Sequence, residues 1–140
     1  MNKLGLKFML SAAFYGLIAM SVGVYMAATS DYLFKAAHGH LNLLGWVTMS
    51  IFGIVYFVLP DLASTKLAKL HFYCAHVAVL FLSGGMAIFV LFGSTNVAKV
   101  GAVFAISSML LFLYGLIKYG STKTSFSQSS AIDSKQPISE

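Results

Sequence analysis

The stretch Ala36-Ala37-His38-Gly39-His40-Leu41-Asn42-Leu43-Leu44-Gly45-Trp46 decides how this chain is read. It carries two of the four histidines, and it opens a long apolar run that continues to Pro60. An ionisable side chain inside a hydrocarbon layer is costly, so where one occurs it marks a candidate site. Imidazole is the commonest protein ligand of metals and a usual ligand of haem iron.

Composition fixes the solvent around that stretch. The chain has 140 residues, 59% apolar and 9% charged, where a soluble domain carries about 45–50% apolar and about 25% charged residues. Its mean hydropathy is +0.84. These values imply an all-α integral membrane protein in the lipid bilayer. The four acids, Asp31, Asp61, Asp133 and Glu140, fall outside the most apolar stretches. No buried carboxylate is then available as a proton relay, a general base or a hard-metal ligand. There is no arginine, which excludes bidentate anion clamps. The net charge of +5 comes from lysines placed singly at the ends of apolar runs. That pattern orients a chain in a bilayer and is not a nucleic-acid surface. The single cysteine, Cys74, excludes an intramolecular disulfide and a Cys-based zinc site.

Four stretches reach the roughly 20 apolar residues that a bilayer core requires: residues 6–28, 32–59, 67–92 and 97–119. Ser30 is the expected N-cap of the second and Pro60 its stop. Short connections make neighbouring helices antiparallel. Lys3, Lys7, Lys66, Lys69, Lys118, Lys123 and Lys135 then fall on one side, and Lys35 and Lys99 on the other. The positive-inside rule puts both termini in the cytoplasm, in a multi-pass protein of the cell (inner) membrane. The first run is longer than a signal h-region and is read as a retained span. Residues 1–120 form the expected four-helix transmembrane domain, and residues 121–140 a polar, Ser-rich cytoplasmic tail. The small-residue pairs Ala12/Gly16 and Gly101/Ala105, and the run Ser83-Gly84-Gly85, are read as helix-packing positions in preference to ligand positions.

Residues two apart on an α-helix point about 200° apart. His38 and His40 therefore serve two flanks of one helix and cannot bind one metal together. Gly45 and Met49 recur on the His38 face, and a glycine there leaves room for a flat macrocycle. Leu44, Val47 and Ile51 recur on the His40 face as an apolar wall. Lys35 lies one turn outward, positioned to pair with a propionate. A histidine, an apolar wall and a cation at the rim suit haem. A lone intramembrane histidine is more often a hydrogen-bonding packing residue, but two within three residues favour ligation. His76, deeper in the third stretch, is the next candidate, and His71, near the inner boundary, is weaker. Tyr73 is placed to hydrogen-bond His76, and Tyr32 and Tyr56 are assigned to the interfacial aromatic belt.

The run His40-Leu41-Asn42-Leu43-Leu44, with Trp46, Gly53, Tyr56 and Val58-Leu59-Pro60, resembles the second transmembrane helix of the nitric oxide reductase large subunit, a member of the haem–copper oxidase superfamily. Leu67-Ala68-Lys69-Leu70-His71-Phe72 is similar to another short stretch of that superfamily. The resemblance implies that His40 is an axial ligand of a low-spin haem. The superfamily's catalytic subunit has twelve helices in three pseudo-symmetric arcs of four, and His38-Gly39-His40 is similar to the His-x-His of its tenth helix, which ligates two haems on opposite sides. A four-helix chain thus resembles one arc, a third of that fold. The family's adjacent His-His copper pair has no counterpart here, nor do the glutamates of a nitric oxide reductase iron site. A complete oxidase or reductase is not implied.

The candidate cofactor-binding residues are thus His38, His40, His76, Lys35 and Gly45, with His38 and His40 as axial ligands of the iron of haem b. The leading expectation is a redox haem protein for one-electron transfer, or for binding a diatomic gas such as nitric oxide or oxygen. The second is a small transporter or copper-handling protein using His38, Met49, Cys74 and His76. The third is a structural helper subunit of a respiratory complex, its histidines serving as interhelical hydrogen bonds. The redox partner stays unidentified. The opposed directions of His38 and His40 suit a homotrimeric ring, with a twofold dimer as the competitor.

Overall fold

The computed structural model describes residues 3–120, which are helices joined by short turns, with no strand among them. The expected tail, 121–140, lies outside the described residues. Four helices are long and apolar enough to cross a membrane: Lys3–Thr29, Lys35–Val58, Lys66–Phe92 and Asn96–Gly120. With 24 to 27 residues each, they suffice for a hydrocarbon core about 30 Å thick. They are called spans 1 to 4 below. Their outward faces are apolar, as at Leu10, Val24, Phe92 and Ile117, a surface compatible with lipid.

Each span ends for a local reason. Span 1 closes at Ser30, which takes a left-handed φ of 55°. Ser30 is therefore not the N-cap of span 2, contrary to the sequence expectation. Thr29 Oγ1 accepts the Asp31 N–H (3.3 Å) and Asp31 Oδ1 accepts the Leu33 N–H (3.0 Å). These side-chain turns delay span 2 until Lys35, with Phe34 at its N-cap position. Span 2 ends where Leu59 leaves helical geometry (φ −115°, ψ 73°) and Pro60 starts the short helix Pro60–Ala63. The proline ring bars the residue before it from the helix and restarts one at its own first position. Thr65 caps span 3 by accepting the Ala68 N–H at 3.1 Å. Gly93, at φ 72°, closes that span. Within span 1, Ser21 and Thr29 donate to carbonyls four residues back, which hides their hydroxyls from lipid.

Span 2 is not uniform. Its middle, Leu41–Thr48, is wound as a π-helix between the α-helical segments Lys35–His40 and Met49–Val58. Thr48 Oγ1 donates to the Leu43 carbonyl five residues back at 2.8 Å. The wider winding changes which side chains share a face.

Spans 3 and 4 make the closest pair. A Cβ built on Gly85 would strike the backbone of Ala98, and one on Gly101 the backbone of Leu82. The two helix backbones touch there, the arrangement that small residues permit in membranes. The core draws on all four spans and the Pro60 turn: Phe8, Met49, Phe52, Tyr56, Leu62, Val79 and Phe112 are its large members. Gly101→Val should overpack this contact and cost about 1–3 kcal/mol. Gly84→Ala, which meets nothing within 4 Å, should be nearly neutral. Reversible unfolding of the two variants in mixed detergent micelles checks the difference.

Candidate functional site

The four histidines occupy four different surroundings. His38 lies in the α-helical start of span 2 and faces span 1. Its Nδ1 is 2.8 Å from the Ala19 carbonyl oxygen, and a carbonyl only accepts, so Nδ1–H is the donor. Nε2 is then an acceptor, and the Asn42 amide nitrogen stands 3.1 Å from it. Asn42 also donates to the His38 carbonyl at 3.3 Å. A Cβ on Gly23 would stand 2.8 Å from His38 Cε1, so span 1 offers the ring a glycine-shaped recess. His38 lines an apolar cavity of about 710 Å³ between spans 1, 2 and 3, together with Tyr15, Tyr25, Phe34 and Ser83. Ser83 Oγ is buried without a hydrogen-bond partner among the described residues.

His40 faces the other way. Its Nδ1–H donates to the Ala36 carbonyl of its own helix at 2.8 Å. That bond fixes the tautomer and leaves the Nε2 lone pair as the outward acceptor, the arrangement found behind metal-ligating histidines. Nε2 has no hydrogen-bond partner among the described residues. His40 lines a second cavity of about 370 Å³ with Lys35, Gly39, Leu43, Leu44 and Thr48, and Leu82 contributes from span 3. Lys35 and His40 thus share one groove. The apolar wall is not the expected one. Leu44 is in it, but Val47 and Ile51 are exposed elsewhere. The π-wound turn is the physical reason, because facing relations calculated for an α-helix fail across it.

Gly45 is buried, and a Cβ there would stand 2.9 Å from the Tyr15 Cβ. Tyr15 of span 1 takes the room that the glycine leaves. Met49 lies in the core at 1% exposure.

His76 binds span 3 to span 1. Its Nδ1–H donates to the Phe72 carbonyl at 2.8 Å, and Nε2 lies 2.9 Å from Ser11 Oγ. The Ser11 hydroxyl has one proton for two acceptors, His76 Nε2 and the Lys7 carbonyl at 2.9 Å. Tyr73, the expected partner of His76, is instead exposed.

His71 is the surprise. It is fully buried, and its Nδ1 is 2.8 Å from the Tyr56 hydroxyl. Nε2 has no hydrogen-bond partner among the described residues. The rings of Phe8, Phe52 and Phe112 stand 5.4, 4.5 and 5.5 Å from its ring centroid. Tyr56 therefore belongs to the core, not to the interfacial belt assigned to it from sequence. An alternating-face count around span 3 could have found His71, since Ala68, Ala75 and Val79 recur on one face with it.

Among the described residues, no three His, Cys, Asp or Glu side chains group around a point that could hold a metal ion. The donor set at His40 instead suits a ligand group whose remaining contacts are apolar, as those of a haem are: one oriented nitrogen, leucine walls and a lysine. A cavity of this size falls within the roughly 300–1,000 Å³ of small-molecule sites.

No family model, curated protein or solved structure matches this chain.

Tyr56→Phe should leave the buried His71 ring with no hydrogen bond and cost about 1–3 kcal/mol of stability. Thermal unfolding of the detergent-solubilised protein checks this.

Proposed function

We propose that this chain is a b-type haem-binding membrane protein that works in one-electron transfer, with His40 as an axial ligand. The observation that carries this reading is the His40 ring, whose Nδ1–H is tied to the Ala36 carbonyl, so that Nε2 is left as the acceptor, in a residue that lines a leucine-walled groove with Lys35. His40 would hold the iron, Leu43, Leu44 and Leu82 would exclude water, and Lys35 would pair with a propionate. Haem b, when bound, supplies a one-electron couple. The resemblance of the His40–Pro60 run to the haem–copper oxidase superfamily adds to this reading.

His40 and His38 line two separate grooves of one chain. We therefore place His38 of one chain opposite His40 of the next, in a trimeric ring of heterologous interfaces. Two axial nitrogens would favour electron transfer, whereas an open position would admit a diatomic gas. In such a ring His38 would help hold the haem, and its Nε2 would have to give up the Asn42 contact. Both termini lie in the cytoplasm, as the lysine distribution favours.

A second reading, a structural helper subunit, is favoured by three of the four histidines. His38, His71 and His76 each hydrogen-bond a different span, at Ala19, Tyr56 and Ser11.

The absorption spectrum of the purified protein separates the two readings. The haem reading expects a Soret band, sharp reduced α and β bands and one haem b per chain by pyridine haemochrome. His40→Ala should lose at least about 90% of the bound haem, the 10–100-fold range of ligand-environment losses, and His76→Gln should keep it. A colourless protein with unchanged stability in His40→Ala favours the helper subunit. Native mass spectrometry should find a trimer, and a monomer with full haem or a dimer with half a haem per chain defeats the ring. A C-terminal tag reached from the outer side defeats the cytoplasmic assignment.

A further inference from the structure

A third cavity, of about 700 Å³, lies at the lysine-rich end of the bundle, where spans 1 and 3 meet the Pro60 turn. Its lining includes Lys3 and Lys7 from span 1, Lys69 from span 3, and Ser64, Phe72 and Tyr73. Three lysines line one concavity, and among the described residues no carboxylate belongs to the lining. No ion pair forms among the described residues, so Asp61, on the adjoining turn, neutralises none of the three. Lys118 at the same end behaves differently. Its ammonium stands over the rings of Tyr114 and Tyr119, at 5.7 and 5.6 Å.

Like charges held together at a bilayer edge repel, and a bound anion offsets the repulsion. Lysines are point-charge donors that suit phosphate oxygens. Spans 1 and 3 both begin at this end, so their N-terminal dipoles add to the positive potential. Leu4 and Phe72 give the same cavity an apolar flank. A phosphate beside an apolar wall, between membrane-spanning helices, matches an anionic phospholipid. We propose that Lys3, Lys7 and Lys69 form a binding site for a phosphate-bearing anion, filled in the membrane by the headgroup of an anionic phospholipid. This site is separate from the His40 groove and stands whether or not haem binds there.

The test uses the full chain in nanodiscs of phosphatidylcholine doped with phosphatidylglycerol, with retained lipid read by native mass spectrometry. Wild type should keep phosphatidylglycerol in preference to phosphatidylcholine. The triple variant Lys3→Gln/Lys7→Gln/Lys69→Gln should hold it at least about tenfold more weakly. The control Lys66→Gln/Lys99→Gln/Lys118→Gln loses the same charge and should hold it as wild type does. Inorganic phosphate alone, titrated in detergent, separates the two sources. Competition only at concentrations far above the lipid supports the headgroup, and competition at equal concentration supports a soluble phosphate at the same lysines. Should the pocket triple fail to fold, Lys69→Glu against Lys66→Glu gives the same comparison. Equal losses in both triples or both single variants, or no preference of wild type for phosphatidylglycerol, overturns the proposal.

Discussion

The hydrogen bond between the Tyr56 hydroxyl and His71 Nδ1, at 2.8 Å, sits where the four spans meet. Tyr56 comes from span 2 and His71 from span 3. Phe8 of span 1 stacks on Tyr56 at 5.3 Å, and Phe112 of span 4 stacks on His71 at 5.5 Å. In a bilayer, burying apolar surface between helices gains little, because lipid tails are as apolar as leucine. Association must come from packing and polar contacts. Edge and stacked ring pairs contribute about 0.5–1.5 kcal/mol each beyond area. Without the tyrosine, the buried imidazole would have no hydrogen-bond partner among the described residues. The pair therefore specifies which faces of spans 2 and 3 must meet.

Around this centre the polar groups divide by role. His76 and Ser11 join spans 3 and 1 beside the ring cluster, where His76 also meets Phe8 and Phe72. His38 joins span 2 to the Ala19 carbonyl of span 1. These contacts close the bundle on one side. His40 is the exception, since its one hydrogen bond stays within its own helix. A histidine that hydrogen-bonds no other span and lines a groove is not explained by packing. That contrast, more than the number of histidines, singles out the His40 groove.

The π-wound segment Leu41–Thr48 links the two themes. It lies between the histidine turn and the half of span 2 that carries Phe52 and Tyr56. Both halves meet their neighbours: His38 reaches the Ala19 carbonyl while Tyr56 reaches His71. A strict α-helix would impose one rotation on both ends. The wider turn frees the upper half from the register set by the core below, at the cost of poorer local packing.

The sequence by itself determined the class of molecule and the location of its helices. Four apolar runs with few charges leave the backbone no choice in lipid but helices, because each N–H and C=O must be satisfied within its own segment. The ends were legible within a few residues, most clearly where Pro60 stops a helix. Ser30 misled, because a serine suits both an N-cap and a left-handed closing turn, and the Thr29 and Asp31 side chains decided between them. The opposed directions of His38 and His40 were also readable from adjacent positions, whereas the groove that Lys35 shares with His40 came from the structure. What only the tertiary structure decided involves partners far apart in the chain: Tyr56 with His71, Ser11 with His76, Ala19 with His38, and the meeting of Lys3 and Lys7 with Lys69. Periodicity states which residues share a face of one helix, but not which helix that face meets. Even that periodicity failed at Val47 and Ile51, because one π-wound turn shifts every facing relation beyond it, and no residue type announces such a turn.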